Sequence, residues 1–418
     1  MTKLWRKGVM YSVASFLANL GHLAFQSIIG HQLGKGSAEY GYVNATLTFT
    51  GMLGLPLLIG GATVTHYVAH FNARKDDARY QGLLSGCRKF LLWLTLCASI
   101  TAILLLKPLS DFFHLPRTSL MLVALITLLG QLWVAFGNSL GQGLDWYRRL
   151  AILGLVVAVL RFTFGWLVLP RYPVAETGVL ATTVSLLAYL FLLLWRKELA
   201  RSSEPISPYD WEFSKYLAVA AACVVGGWCF SQGDLLVAQR NFSDLNSGSE
   251  FAFYAAAGVL GRALPNAVVP ALWVLFTSRS GNSSGTVLRE QLRLLGLCAG
   301  GLVVGAACLL ALRGLLVRLI FGAYTPESAA LVGPFACTMV FVGLIQALGM
   351  WALASRWTRM ALLYGASGLL YWLALFKWGH SPGQLLHIMP IAAAAGFVLM
   401  LAAWIITMRH AHLEASPR

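Results

Sequence analysis

Three charged residues fall inside long apolar stretches: Asp234 in 215–238, Arg262 in 251–277 and Arg161 in 151–169. A charge near the bilayer centre costs about 2.5–3.5 kcal/mol on insertion scales, so such residues usually pair or line a pathway. A guanidinium suits a diphosphate because its planar fork donates two parallel hydrogen bonds. Arg262 therefore predicts a site for an anionic head group, Arg161 a place on the same pathway, and Asp234 a coupling or gating carboxylate. The alternative is a structural ion pair between Asp234 and Arg262.

Uncharged polar residues recur at helical spacing within the same apolar stretches. Five of them in 9–33 are three or four positions apart, which places them on one helical face: Ser12, Ser15, Asn19, His22 and Gln26. Such faces line a bundle interior or a wet cavity, or they form hydrogen bonds between helices. We expect these residues to line a substrate cavity with the two arginines: Asn19, His22, Gln26, Asn44, Asn138, Gln142 and Asn266.

The elements that must position these residues are membrane helices. The chain has 418 residues, of which 58% are hydrophobic and 11% charged, whereas soluble domains carry about 25% charged residues. Only helices satisfy their own backbone in lipid when the alternation of a barrel is absent. Twelve stretches are long enough to span a membrane: 9–33, 41–68, 87–106, 119–144, 151–169, 177–195, 215–238, 251–277, 293–312, 328–354, 360–378 and 387–408.

The basic residues indicate how these spans are oriented. With twelve spans, 21 of the 31 Lys and Arg residues fall in the termini and in alternate loops on one side. The positive-inside rule then places both termini in the cytoplasm. The net charge of +15 is explained by orientation, so we expect no nucleic acid partner.

Matching residues in the two halves indicate an internal repeat. Tyr40 and Pro56 match Tyr254 and Pro270 at an offset of 214 residues, and Arg149 matches Arg359 at 210. We expect each proline to bend the second helix of its half. Halves with six spans each share one orientation, so the fold class predicted is an all-α polytopic membrane protein with two six-helix lobes. A pseudo-two-fold axis along the membrane normal relates the lobes. Their expected bounds are 1–195 and 215–408, with a linker at 196–214 and a cytoplasmic tail at 409–418.

The sequence lacks the features of a membrane enzyme or an ATP-driven pump. No HExxH, GxSxG or P-loop motif is present, and no loop between spans is long enough for a nucleotide domain. The acidic residues Asp111, Glu176 and Glu327 stand isolated in the sequence. We therefore expect no enzyme, no catalytic residue, no bound cofactor and no metal site.

Three regions carry a family resemblance. The first has HQLG at 31–34 and YGYVNA at 40–45, the second QGDLL at 232–236 and FYAAA at 253–257, and the third LVRLIFGAY at 316–324. The chain resembles polysaccharide-biosynthesis (Wzx-type) flippases of the multidrug/oligosaccharidyl-lipid/polysaccharide (MOP) exporter superfamily. In that family an Asp of the seventh helix matches Asp234, and a basic position near the Pro of the eighth matches Arg262. The chain departs from the family in having few cavity charges.

The resemblance implies two lobes around a central cavity in a bacterial inner membrane. It implies that lipid-linked oligosaccharide, carried on undecaprenyl diphosphate, moves from the cytoplasmic to the periplasmic leaflet by alternating access. Coupling to Na⁺ or H⁺ and contacts with glycan-assembly enzymes are further expectations. Three alternatives stay open: a drug/cation antiporter of the same fold, a membrane-embedded glycan polymerase or ligase, and a scaffold without transport.

Overall fold

The protein was analysed as a computed structural model that describes residues 3–33, 38–112, 115, 117–194, 211–242, 249–279, 286–321, 326–355 and 357–415. Every regular element within these ranges is an α-helix, which confirms the predicted all-α class. The helices are α1 (Lys3–Gln32), α2 (Ala38–Leu53), α3 (Leu55–Arg74), α4 (Asp77–Phe112), α5 (Thr118–Gly143), α6 (Tyr147–Val168), α7 (Ala175–Leu194), α8 (Trp211–Phe242), α9 (Ser249–Arg279), α10 (Thr286–Phe321), α11 (Pro326–Ala354), α12 (Thr358–Trp378) and α13 (Pro382–Ala415).

These helices coincide with the twelve predicted spans when α2 and α3 are taken together. Ten helices in the described ranges, α4 to α13, are long and apolar enough to cross a membrane, and the bent pair α2–α3 makes an eleventh. The first predicted span corresponds to α1, which is not among these eleven. Its apolar sequence is interrupted by Asn19, His22 and Gln26.

The second predicted span is broken near its middle. α2 ends at Leu53 and α3 begins at Leu55, and the two helices meet at an angle of 53°. Pro56 lies in the first turn of α3, where its missing N–H leaves the carbonyl of Met52 without a helical donor. The expected bend at Pro56 is therefore confirmed. Its counterpart Pro270 does not end α9, which continues to Arg279.

The chain forms two compact units. One comprises Val13–Ala220, and the other comprises Met1–Ser12 and Ala221–Arg418. Within the first unit α5 packs against α2, α3, α4 and α7, and within the second α11 packs against α9, α10, α12 and α13. Because α5 and α11 are the fourth predicted span of their halves, the units share an internal plan. The predicted linker 196–214 falls largely outside the described residues, and the expected lobe bounds stay a prediction.

Small residues bring the first helix of each half close to the fifth. A Cβ on Gly21 of α1 would lie 2.7 Å from the Cβ of Ala158 in α6. A Cβ on Gly368 of α12 would lie 2.6 Å from the Cα of Gly226 in α8. Such close backbone approach is the usual way in which helices associate in lipid, where no hydrophobic force favours one apolar partner over another.

Candidate functional site

An ion pair inside the second unit joins Asp234 of α8 to Arg262 of α9. Arg262 Nη2 lies 2.5 Å from Asp234 Oδ2, and the exposed fractions of the two residues are 7% and 0%. Tyr254, two turns before Arg262, donates its hydroxyl to the same Oδ2 over 2.8 Å. The ion pair that the sequence left as an alternative is thus the arrangement found. With Ser231 and Gly258, these residues form what we call the C-half cluster.

The guanidinium of Arg262 is held by more than the carboxylate. Its Nε donates to the backbone carbonyl of Ser231 over 2.8 Å, and its Cζ lies 5.7 Å from the ring centroid of Phe335. Because these contacts fix the head group on several sides, Arg262 is not a mobile cation in this structure. Asp234 Oδ1 is buried and accepts no hydrogen bond from the described residues. The predicted anion-binding role of Arg262 stays a prediction.

The first unit contains an uncharged counterpart, the N-half cluster of Gln26, Tyr40 and Asn44. Tyr40 donates its hydroxyl to Gln26 Oε1 over 3.2 Å, and Gln26 Nε2 donates to Asn44 Oδ1 over 3.2 Å. Asn44 Nδ2 donates back to the Tyr40 carbonyl over 3.0 Å. Gln26 and Asn44 are buried, with exposed fractions of 1% and 7%. Their amides therefore serve hydrogen bonds within the unit, and lining of a cavity stays a prediction for both.

The tyrosines of the two clusters make the same contact. Tyr40 and Tyr254 are 214 residues apart, the offset of the internal repeat. Each donates its hydroxyl to a side-chain oxygen on the first helix of its half, which belongs to Gln26 in α1 and to Asp234 in α8. The repeat thus places an amide in one half where the other half has a carboxylate.

The second helices differ in a complementary way. At the same offset, Asn44 corresponds to Gly258 and Thr48 corresponds to Arg262. In the N-half cluster the Asn44 amide reaches the first helix directly. In the C-half cluster the guanidinium folds back over Gly258, since a Cβ there would lie 2.5 Å from Arg262 Nη1. Each half therefore matches its first helix with a polar group of suitable charge.

A second predicted pair, His22 of α1 and Arg161 of α6, meets in the first unit. Arg161 Nη1 lies 3.2 Å from His22 Nδ1. Because a guanidinium can only donate, Nδ1 accepts and the imidazole carries its proton on Nε2. Arg161 also donates to Ser185 Oγ over 3.5 Å and lies over the Phe25 ring at 5.7 Å. Among the described residues it makes no ion pair, so its charge is uncompensated there.

The remaining predicted residues do not join these groups in the structure. Asn138 accepts a hydrogen bond from the hydroxyl of Tyr189, and Gln142 is half-buried near the end of α5. Asn19 is half-buried on α1, whereas Asn266 is exposed on α9. The side chains of Ser12 and Ser15 lie outside those described. The cavity role of each stays a prediction.

A third cluster escaped the sequence analysis. Arg117, just before α5, contacts Glu39 of α2 at 2.5 Å and Glu176 of α7 at 3.0 Å. Glu39 Oε2 also accepts from the backbone N–H of Ala175 over 2.7 Å, and Ser119 donates to Glu176 Oε1 over 2.7 Å. We call these five residues the Arg117 cluster. The description of Glu176 as isolated was wrong, because separations of 59 residues and more conceal a contact that only the fold makes.

The described residues include no group of three or more His, Cys, Asp or Glu side chains placed to hold a metal ion. They also bring no second carboxylate to Asp234. In the described helices, Asp234 is the only acidic residue more than five positions from a helix end. The chemistry available there is therefore that of one neutralised carboxylate and one uncompensated guanidinium.

Comparison with known proteins gives a fold. No protein-family model matches the chain, and no curated protein matches it either. An inward-facing multidrug resistance MATE family transporter of the MOP superfamily aligns with a TM-score of 0.72 and 12% identity, over 98% of this chain and 100% of that chain. The lipid II flippase MurJ in an inward closed conformation aligns with a TM-score of 0.71 and 12% identity, over 94% and 87%.

A third solved structure, the eukaryotic MATE transporter AtDTX14, aligns with a TM-score of 0.68 and 14% identity, over 96% of both chains. Identities this low carry no information about substrate, but the alignments extend over almost the whole chain. The polytopic helical layout predicted from the sequence therefore has solved counterparts. The chain has the fold of MOP superfamily transporters of the MATE and MurJ kinds.

Proposed function

We propose that the protein is a MOP-type flippase that moves oligosaccharide linked to undecaprenyl diphosphate from the cytoplasmic to the periplasmic leaflet by alternating access. The observation that carries the proposal is the state of Arg161. This guanidinium lies mid-way along an apolar helix, and its described partners are the neutral side chains of His22, Ser185 and Phe25. A buried cation without a counter-ion favours an anionic ligand, and a diphosphate fits its planar donor fork.

The state of Asp234 supports the same choice of charge. A transporter of cations needs a carboxylate that is available to its substrate. The one carboxylate deep inside a described helix is already bound by Arg262 and Tyr254. Arg161 and the C-half cluster together therefore carry a net positive charge, which suits an anion better than a cation.

The second candidate is a drug/cation antiporter of the same fold. It is favoured by the solved neighbours whose titles name multidrug resistance transporters. In that case Asp234 would have to leave Arg262 during the cycle and bind a cationic substrate. Efflux of a fluorescent hydrophobic cation from cells that express the chain is the direct test of this candidate.

The proposed setting is a bacterial inner membrane with both termini in the cytoplasm. The Lys and Arg distribution supports this orientation. The flippase would take its cargo from glycan-assembly enzymes on the cytoplasmic side and deliver it to others outside. Coupling to a Na⁺ or H⁺ gradient stays a prediction.

The test is to delete the gene and measure diphosphate-linked glycan in the cytoplasmic leaflet, using inside-out vesicles and an impermeant pyrophosphatase. Deletion should cause accumulation that the wild-type chain reverses. Arg161→Ala should reduce export by about 10- to 100-fold, the effect of losing a charge-assisted hydrogen bond. Arg161→Lys should retain part of it, because the charge remains.

Arg171→Ala is the matched control, since Arg171 is exposed in the connection between α6 and α7. It should export as well as the wild type. Unchanged export by Arg161→Ala would remove the anion-binding role. Normal surface glycan after deletion, together with lost cation efflux, would favour the antiporter.

A further inference from the structure

We propose that Arg262 is a tethered counter-cation for Asp234, which occupies the place that an alkali cation from solution would otherwise take, and that Gly258 is the positioning residue that makes this possible. The inference goes beyond the proposed function, because it concerns which ion the buried carboxylate binds and not which cargo is moved. Transport by this chain then proceeds without Na⁺ at Asp234.

The first argument is the fit of the guanidinium. Arg262 contacts Asp234 Oδ2 at 2.5 Å and the Ser231 carbonyl at 2.8 Å. Both partners are oxygen atoms on α8, one turn apart. A guanidinium that donates to a carboxylate and to a backbone carbonyl performs the electrostatic task of a bound cation, and its covalent attachment makes the occupancy permanent.

The second argument is the space that Gly258 leaves. Side chains on a helix point toward its N-terminus, and Arg262 follows this direction back over the preceding turn. A Cβ at position 258 would lie 2.5 Å from Nη1 and 3.2 Å from Cζ of Arg262. Any side chain there would force the guanidinium away from its position beside Asp234.

The third argument comes from the other half of the molecule. Where the C-half cluster has Asp234, Gly258 and Arg262, the corresponding positions hold Gln26, Asn44 and Thr48. The tyrosine contact is retained in both halves, but the carboxylate and the guanidinium are both absent from the N-half cluster. The two charges occur together or not at all, as expected if each exists to balance the other.

The ligands that Arg262 would leave behind define the test. Without the guanidinium, Asp234, the Ser231 carbonyl and the Tyr254 hydroxyl present only oxygen atoms to an uncompensated site. Oxygen ligands with one negative charge are the preferred set of hard cations. Removal of Arg262 should therefore create an alkali-cation site that the wild type does not have.

The experiment measures the Tm of the purified full chain in detergent while NaCl replaces choline chloride at constant ionic strength. The wild type should show no Na⁺-specific change. Arg262→Met should gain about 2–4 °C from Na⁺, the size expected when a ligand binds the folded state well above its Kd. Gly258→Ala should gain Na⁺ sensitivity in the same direction, because it displaces the guanidinium. Arg262→Lys should remain insensitive, since its ammonium is also tethered.

Two controls separate this effect from general destabilisation. The double variant Arg262→Met with Asp234→Asn should lose the Na⁺ response, and Arg161→Met should never acquire one. A Na⁺-specific rise in the wild type that Asp234→Asn abolishes would overturn the proposal, as would an Arg262→Met chain indifferent to Na⁺. If Arg262→Met does not fold, an Na⁺-indifferent Gly258→Ala chain would overturn it equally. None of these readouts requires transport, so failure of the flippase assignment would not mimic failure here.

Discussion

Tyr40 of α2 and Tyr254 of α9 make the same contact in their own units: each donates its hydroxyl to a buried side-chain oxygen on the first helix of its half, over 3.2 and 2.8 Å. The acceptors differ in charge, since one is an amide and the other a carboxylate. This pair of matched contacts allows the contribution of charge to be measured within one molecule.

Replacement of each tyrosine by phenylalanine should have unequal effects. Tyr40→Phe removes a neutral hydrogen bond between helices and should lower the free energy of unfolding by about 0.5–1 kcal/mol. Tyr254→Phe removes a bond to a carboxylate and should lower it by about 1.5–3 kcal/mol. Denaturant titration of both variants in the same detergent gives the comparison, and equal losses would mean that the Asp234 charge contributes nothing to its tyrosine contact.

The ion pair should show strong energetic coupling. Asp234→Asn and Arg262→Met each leave one buried group without its partner and should cost about 3–5 kcal/mol. The double variant should lose much less than the sum, because no charge then remains unpaired. A thermodynamic cycle from unfolding data provides the coupling free energy. Additive losses would be incompatible with a direct interaction between the two side chains.

His22 should act on export through the position of Arg161. His22→Gln retains an acceptor for the guanidinium and should preserve most of the export activity. His22→Phe introduces the residue found at the corresponding position 230 and removes the acceptor, so export should fall about tenfold, the effect of one lost hydrogen bond. The glycan assay described for Arg161 measures both variants at matched expression. Equal export by the two would show that Arg161 needs no support from His22.

The Arg117 cluster should stabilise the start of α7. Glu39→Gln weakens both the contact with Arg117 and the hydrogen bond from the Ala175 N–H, at a cost of about 0.5–2 kcal/mol. Hydrogen exchange of the first turn of α7 should accelerate. Glu327→Gln is the control, because Glu327 is likewise the second residue of its helix but is exposed. Unchanged exchange at α7 in the Glu39 variant would contradict the capping role.

Close packing of α8 and α12 predicts the effect of a methyl group. A Cβ on Gly368 would lie 2.6 Å from Gly226 Cα and 2.8 Å from its carbonyl oxygen, and backbone atoms cannot move aside as side chains can. Gly368→Ala should therefore cost about 1–3 kcal/mol. Gly300→Ala in α10, where no atom lies within 4 Å, should be neutral or stabilise by up to about 1 kcal/mol. The Tm values of both variants decide between contact and open space.

The helices were predictable because their cause is local. Apolar length and the absence of lipid partners for the backbone determine each span, and the proline at position 56 accounts for the break in the second one. Tyr40 and Tyr254 were visible as a repeated pair, but their acceptors were not. A hydroxyl that bonds across two helices leaves no periodic pattern in the sequence.

The site was predictable only as a set of residue types. Asp234 and Arg262 were identified from the cost of charge in lipid, yet their pairing needed the register of α8 against α9, which short patterns do not encode. The polar face of α1 was correct as a face, although Gln26 uses its amide for Asn44 and Tyr40. The Arg117 cluster joins helix ends from three parts of the chain, so nothing in its local sequence marks it.

The interruption between Leu53 and Leu55 also has a mechanical consequence. A straight helix resists flexing because each bend must stretch its ladder of hydrogen bonds, but here one rung is already missing at Pro56. The ladder is otherwise carried across the joint, with Gly54 donating to Thr50 at 3.0 Å and Leu58 to Gly54 at 3.3 Å. The two rods can therefore tilt against each other with little loss of bonding, and the bare Met52 carbonyl must face protein or water, never hydrocarbon, throughout that movement.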